Sequence, residues 1–146
     1  RIDDLDGLFD LGSEMHAESQ TLRKHDIHFR QVHGILTEIL TNPRDDLFLW
    51  VIEREGRILG ALFAESSRDL WTKSRMAMVH AVYVRPRHRT SKSCIRLLKT
   101  FLTWAKGNSD VIRIDAAAGI DDNRAGSTFQ KLGLKPRGHY YGMEVA

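Results

Sequence analysis

Apolar residues recur at helical spacing in two stretches near the amino end of the chain. Leu5, Leu8, Leu11 and Met15 make the first, with Leu22 continuing it, and Phe29, Val32, Ile35, Leu36, Ile39 and Leu40 make a second stripe that stops just before Pro43. The pattern then changes period. Residues 47–54 and 57–65 are β-rich runs separated by Glu55-Gly56, which predicts a tight antiparallel hairpin. After a polar loop containing Trp71, residues 76–84 predict a strand, 91–106 a helix ended by Gly107-Asn108, 111–118 a strand, 123–132 a helix, and 138–145 a last strand. The order ααβββαβαβ, a meander followed by strands alternating with single helices, predicts an α/β fold with a central sheet of mixed antiparallel and parallel direction.

Composition narrows this picture without changing it. A chain of 146 residues with 42% apolar and 28% charged positions is expected to form one domain, 1–146, with an ordinary core. The single cysteine, Cys94, leaves no internal disulfide and suggests a reducing cytoplasm. No apolar run approaches the length of a membrane span, so no membrane partner is expected. The chain starts at Arg1 rather than methionine, which leaves upstream residues open. The net charge of +3 would allow nucleic-acid binding, yet Arg85, Arg87, Arg89 and Lys92 cluster where a phosphorylated small molecule would account for them. Aromatic and basic residues are also too sparsely interleaved to suggest an RNA-binding sheet. Nucleic acid is therefore not an expected partner. Asp3, Asp4, Asp6, Asp10, Glu14 and Glu18 face only Arg1 within the first eighteen residues. They fit a solvated helix surface or a face that attracts a cationic amine.

Chemistry concentrates where the strand at 76–84 runs through a basic turn into the helix at 91–106. A helix start leaves backbone N–H groups without intrahelical partners and carries partial positive charge, so it suits phosphate, and Arg87, Arg89 and Lys92 add full charges. About thirty residues on, 122–134 reads as a second capped helix closed by Gly133.

Together these segments resemble the acyl-CoA site of the GNAT superfamily of N-acetyltransferases. Val84, Pro86, Arg89, Leu97 and Leu98 match that family's strand, loop and helix frame without a gap, and Asn123, Lys131 and Gly133 match its second segment. Lys92 and Cys94 replace the loop glycines, Leu134 replaces an aromatic residue, Phe129 stands where relatives place a proton-donating tyrosine, and Met78 stands where they place a glutamate base. The resemblance implies a GNAT-like fold and direct transfer of an acetyl group from acetyl-CoA to an amine acceptor, small molecule or protein, with no metal; a homodimer is left open. It implies cofactor contacts through the backbone near Val82 and Val84, through Arg87, Arg89, Thr90, Ser91, Lys92, Ser93 and Cys94, and through Asn123, which could equally cap its helix.

With Met78 unable to act as a base, His80 is the first candidate. It shares a strand face with Met78 by period-two alternation, and an imidazole ordinarily titrates near pH ~6.5, although a strand histidine can also serve packing alone. Glu65 on the neighbouring strand is the second. Tyr140, Tyr141 or water could protonate the leaving thiolate, or the tyrosines could be plain sheet residues. Losses at Met78, Lys92 and Phe129 also admit an acyl-CoA-binding protein without turnover. There is no Gly-x-Ser-x-Gly nucleophile motif, and His25 and His28 lack the further ligands a metal would need.

Overall fold

The computed structural model describes residues 1–116, 118–139, 141–143 and 145. A 3-10 turn leads into helix α1 (Leu5–Glu18), followed by α2 (Phe29–Thr41), strands β1 (Leu47–Arg54), β2 (Arg57–Arg68) and β3 (Arg75–Val84), helix α3 (Lys92–Asn108), the short strand β4 (Val111–Arg113) and helix α4 (Asp122–Lys131). The sheet order is β1-β2-β3-β4, with β1, β2 and β3 antiparallel and β4 parallel to β3. The α/β class and mixed sheet direction expected from the pattern are present.

Local chemistry explains the elements. Glu55 and Gly56 both take positive φ, 53° and 74°, the backbone twist that a two-residue hairpin between β1 and β2 requires. The helices then cover both faces of the sheet. On one face Leu97, Leu98, Phe101 and Ala105 of α3 pack with Phe48, Leu62, Ala64, Ala77 and Val84, and Phe129 of α4 closes that cluster. On the other, Leu8 and Leu11 of α1 pack with Ile58 and Tyr83, with Leu36 and Leu40 of α2 beside them. Among the described residues no helix is long and apolar enough to cross a membrane.

The close approach of β2 to β3 is tightest at Gly60, which pairs with Val84. A Cβ there would lie 2.8 Å from Val84 Cγ2 and 3.1 Å from the Tyr83 carbonyl oxygen. Gly60→Ala is accordingly expected to destabilise the fold by about 1–3 kcal/mol, read as a lower urea midpoint at unchanged slope.

Two strands depart from the sequence pattern. The strand expected over 111–118 stops at Arg113, and among the described residues of 138–145 none is in a strand. With β4 only three residues long, the sheet offers a following segment little edge to pair with. Tyr141, Met143 and Val145 are instead largely exposed, while Tyr140 and Glu144 lie outside the described residues.

Candidate active site

The brevity of β4 leaves most of one β3 edge unpaired. It pairs with β3 only from Met76 to Met78, so among the described residues the stretch 79–84 of β3 runs on with no strand on that edge. On the opposite edge the register with β2 slips: Ala64 faces Val79, but Phe63 faces Ala81. His80 is the extra residue of this bulge, a device that re-aims side chains next to functional sites. The slip shifts the alternation. Val79 packs against the α3-side cluster as 77 does, and beyond the bulge Val82 and Val84 take that face while Tyr83 turns to α1.

The bulge brings the two sequence candidates for proton removal together. His80 Nε2 lies 3.2 Å from Glu65 Oε2, and the imidazole rests against the Phe63 ring at 5.2 Å between centroids. Arg44, from the loop before β1, approaches the other Glu65 oxygen at 3.7 Å. Both side chains remain about one-third exposed, 38% for His80 and 36% for Glu65, so the pair is open to a substrate from solvent.

At the far end of the same strand segment the chain enters α3. A 3-10 turn over Pro86–His88 begins with proline, whose fixed φ suits a helical start. Ser91 then caps α3, its hydroxyl accepting the Cys94 N–H at 3.2 Å. Not every amide from 89 to 94 is free. Arg89, Ser91 and Cys94 donate to the carbonyls of Pro86, His88 and Ser91, whereas the N–H groups of Thr90, Lys92 and Ser93 have no partner among the described residues. No residue between 89 and 94 has positive φ, so the replacement of glycine by Lys92 and Cys94 costs no left-handed backbone. Lys92 points outward and is exposed. Cys94 turns inward onto the α3-side core, where burial raises its thiol pKa against the opposing charges of Arg124 and Arg89. Neither side chain plugs the helix entrance.

The basic cluster does differ from its sequence reading, in which Arg89 lends its charge to phosphate. Arg89 Nη1 donates to Glu18 Oε1 at 2.7 Å and Nη2 to Glu18 Oε2, its Nε donates to the Val84 carbonyl at 2.7 Å, and its guanidinium lies over the Tyr83 ring. Arg85 makes a matching two-point pair with Glu14 at 2.8 Å on both arms. Two cations of the four are thus neutralised by α1, and Arg87 and Lys92 remain exposed with no ion pair among the described residues. The α1 acids Glu14 and Glu18 are correspondingly neither a solvated face nor a free attractor for amines. They fix α1 to the entrance of α3. Tyr83 joins this lock by donating to Glu18 Oε2 at 2.7 Å, and burial, reinforced by that carboxylate, raises its phenol pKa to about 12.

The second segment is also clarified. The α4 entrance is held by Asp122, whose carboxylate accepts the N–H groups of Gly119 at 3.1 Å and Ile120 at 3.3 Å. Asn123 lies inside the first turn, exposed, so it does not cap the helix. Phe129 is buried in the α3-side core. A residue that sequence reasoning passed over, Ser19, is fully buried at the end of α1; its hydroxyl donates to the Ala118 carbonyl and accepts the Leu22 N–H at 3.0 Å. It ties the α1–α2 connection to the segment that precedes α4. Among the described residues no group of three or more His, Cys, Asp or Glu could hold a metal ion.

Comparison with known proteins gives a consistent result. The model of the acetyltransferase (GNAT) family matches residues 13–134. No curated protein matches the sequence. Among solved structures, glucosamine-6-phosphate N-acetyltransferase from Arabidopsis thaliana superposes with a TM-score of 0.72 at 16% identity, covering 99% of this chain and 92% of that one. Ribosomal-protein-alanine N-acetyltransferase from Brucella melitensis biovar Abortus 2308 gives 0.67 at 13% identity, over 97% of this chain and 94% of that one. An aminoglycoside acetyltransferase from an uncultured soil metagenomic sample, in complex with sisomicin, gives 0.68 at 12% identity, over 98% and 91%. At such identities the likeness is one of fold.

Proposed function

The chain belongs to the GNAT family of acetyltransferases, and from that premise we propose that 1–146 is a single acetyl-CoA-dependent N-acetyltransferase domain that passes the acetyl group directly to an amine. One observation carries the proposal. Among the described residues, the stretch 79–84 of β3 is at once an edge with no neighbouring strand, the bearer of the His80–Glu65 pair and the lead into a helix start with unpartnered amides. Bound acetyl-CoA supplies a thioester carbonyl for attack by the acceptor nitrogen.

The chain's own residues do the rest. The N–H groups of Thr90, Lys92 and Ser93 hold the diphosphate, Lys92 and Arg87 add charge, and Asn123 on α4 contacts the arm. Arg89, Ser91 and Cys94 contribute by fixing the loop: the first through Glu18, the second as cap and the third by packing into the core. Open-edge backbone between Val82 and Val84 directs N–H toward the developing oxyanion, and His80, oriented by Glu65, takes the proton from the ammonium. The lone Cys94, half-buried, suits a reducing cytoplasm.

Calorimetry with acetyl-CoA tests the donor site; no binding at about millimolar ligand would refute it. Lys92→Glu, which places a negative charge at the helix start, is expected to weaken that binding by about tenfold or more with little change in melting temperature. Buried Phe129, which has no proton to donate, favours a second reading, an acyl-CoA-binding protein without turnover. Thiol release from acetyl-CoA across a panel of amines separates the two.

A further inference from the structure

The outer face of α3 carries a charge pattern that runs on well beyond the donor site, which takes in only Lys92 at its start. The helix holds no acidic residue, and Lys92, Arg96, Lys99 and Lys106 are all exposed, without an ion pair among the described residues. At a rise of about 1.5 Å per residue, the cations from Lys92 to Lys106 mark a track of about 20 Å opposite the buried side of the helix. Beside the track runs a row of threonines, Thr100 and Thr103, whose hydroxyls are turned back onto the carbonyls of Arg96 and Lys99.

Beyond that row the surface becomes aromatic. Thr100 and Thr103 line both a concavity of about 500 Å³ on the cationic side and an adjoining one of about 460 Å³ formed with Phe48, Trp50 and Trp104. Trp50 stacks on Phe48 at 5.8 Å and 15° between planes, yet it is 54% exposed, so part of its indole faces solvent. Trp104 tilts onto Phe48 at 5.2 Å. Residues 50 and 104 are far apart in the sequence, and only the packing of α3 on the edge strand β1 sets their rings next to the basic track.

We propose that this face, the basic stripe of α3 together with the Trp50–Trp104 groove, binds single-stranded nucleic acid, a partner that the sparse interleaving of aromatic and basic residues along the sequence does not suggest. Cations that follow a backbone and aromatic rings that receive bases are the two elements by which proteins hold single strands without reading sequence. The arrangement selects among polyanions. A nucleotide carries its phosphate and its flat base at opposite ends and spans the threonine row from cation to indole, whereas a glutamate or aspartate carboxylate is not joined to a ring. A second copy of this chain would bring like charge against like charge. In a duplex the bases are stacked inside and leave the indoles without partners.

Fluorescence anisotropy with labelled oligouridylate and oligothymidylate tests this, the two strands distinguishing RNA from DNA as the ligand. Either strand is expected to bind more tightly than a duplex, with a slope of log affinity against log salt of about −2 to −3 for three to four phosphates neutralised. The double variant Arg96→Glu, Lys99→Glu is expected to abolish binding, and Trp50→Leu, which keeps the apolar packing but removes the stacking plane, to weaken it about tenfold. Both variants should keep the cooperative thermal unfolding of the wild type, which verifies that they are folded. Lack of single-strand binding, or binding indifferent to either variant, would overturn the proposal. So would displacement of the strand by polyglutamate at equal charge concentration, which would mark the face as a site for acidic protein.

Discussion

Replacing His80 with alanine is expected to slow acetyl transfer by roughly 10²- to 10⁴-fold while leaving acetyl-CoA affinity in place, the usual contribution of one positioned acid-base group. The separation of effects follows from location. His80 sits on the bulge of β3, away from the α3 entrance, and its side chain is partly exposed, so truncation removes no core contact. With Nε2 engaged to Glu65 at 3.2 Å, the proposed role leaves Nδ1 to take the proton and the carboxylate to stabilise the imidazolium as it forms. Glu65→Gln should therefore cost less than His80→Ala. If instead the glutamine variant is inactive and the alanine variant keeps its rate, Glu65 is the base and His80 a neighbour.

The sequence makes the elements legible because each element is a local matter of period and punctuation. The stripes before Pro43, the Glu55-Gly56 turn and the strand ahead of Pro86 all appear where local rules place them. What escapes is whatever depends on a partner distant in the chain. The bulge at His80 is a mismatch between two strands, invisible in either alone, and it is the reason strict alternation fails beyond it. The fate of the basic turn is non-local as well. Arg89 finds Glu18 at a separation of 71 residues, as Arg85 finds Glu14, and no spacing rule announces such pairs. In the same way, Asn123 has the chemistry of a cap, but Asp122, one position earlier, already satisfies the amides that precede the helix. The β-forming residues of 138–145 predict a strand, but a strand also needs an edge to receive it, and β4 offers only three residues.

Loss of the Glu18 carboxylate is expected to lower stability markedly, because three donors converge on it. Glu18→Ala leaves both Arg89 arms and the Tyr83 hydroxyl without their acceptor in a region where Arg89 is only 19% exposed. A cost of about 2 kcal/mol, between that of a surface pair and a buried one, corresponds to a melting temperature about 4–8 °C lower. The pH dependence gives the more specific signature. Hydrogen bonds from Arg89, then Tyr83, hold the Glu18 carboxyl below its ordinary value of 4.5 despite opposing desolvation. A folded pKa below the unfolded one means that the contribution is fully present above about pH 4.5 and is lost as pH falls through the folded value. Tyr83 works in the opposite sense. Its pKa is raised from 10.0 to about 12, so its contribution holds below about pH 10 and is lost as pH rises toward 12. Urea titrations across pH should thus show a plateau bounded by these two groups, and Glu18→Gln should flatten the acid side. The alkaline side should shrink only in part, because burial of the phenol, the larger cause of its shift, survives the substitution. An acid limb that runs parallel in wild type and Glu18→Gln would mean that the α1 lock contributes nothing to folding, and that the α3 entrance holds its shape without it.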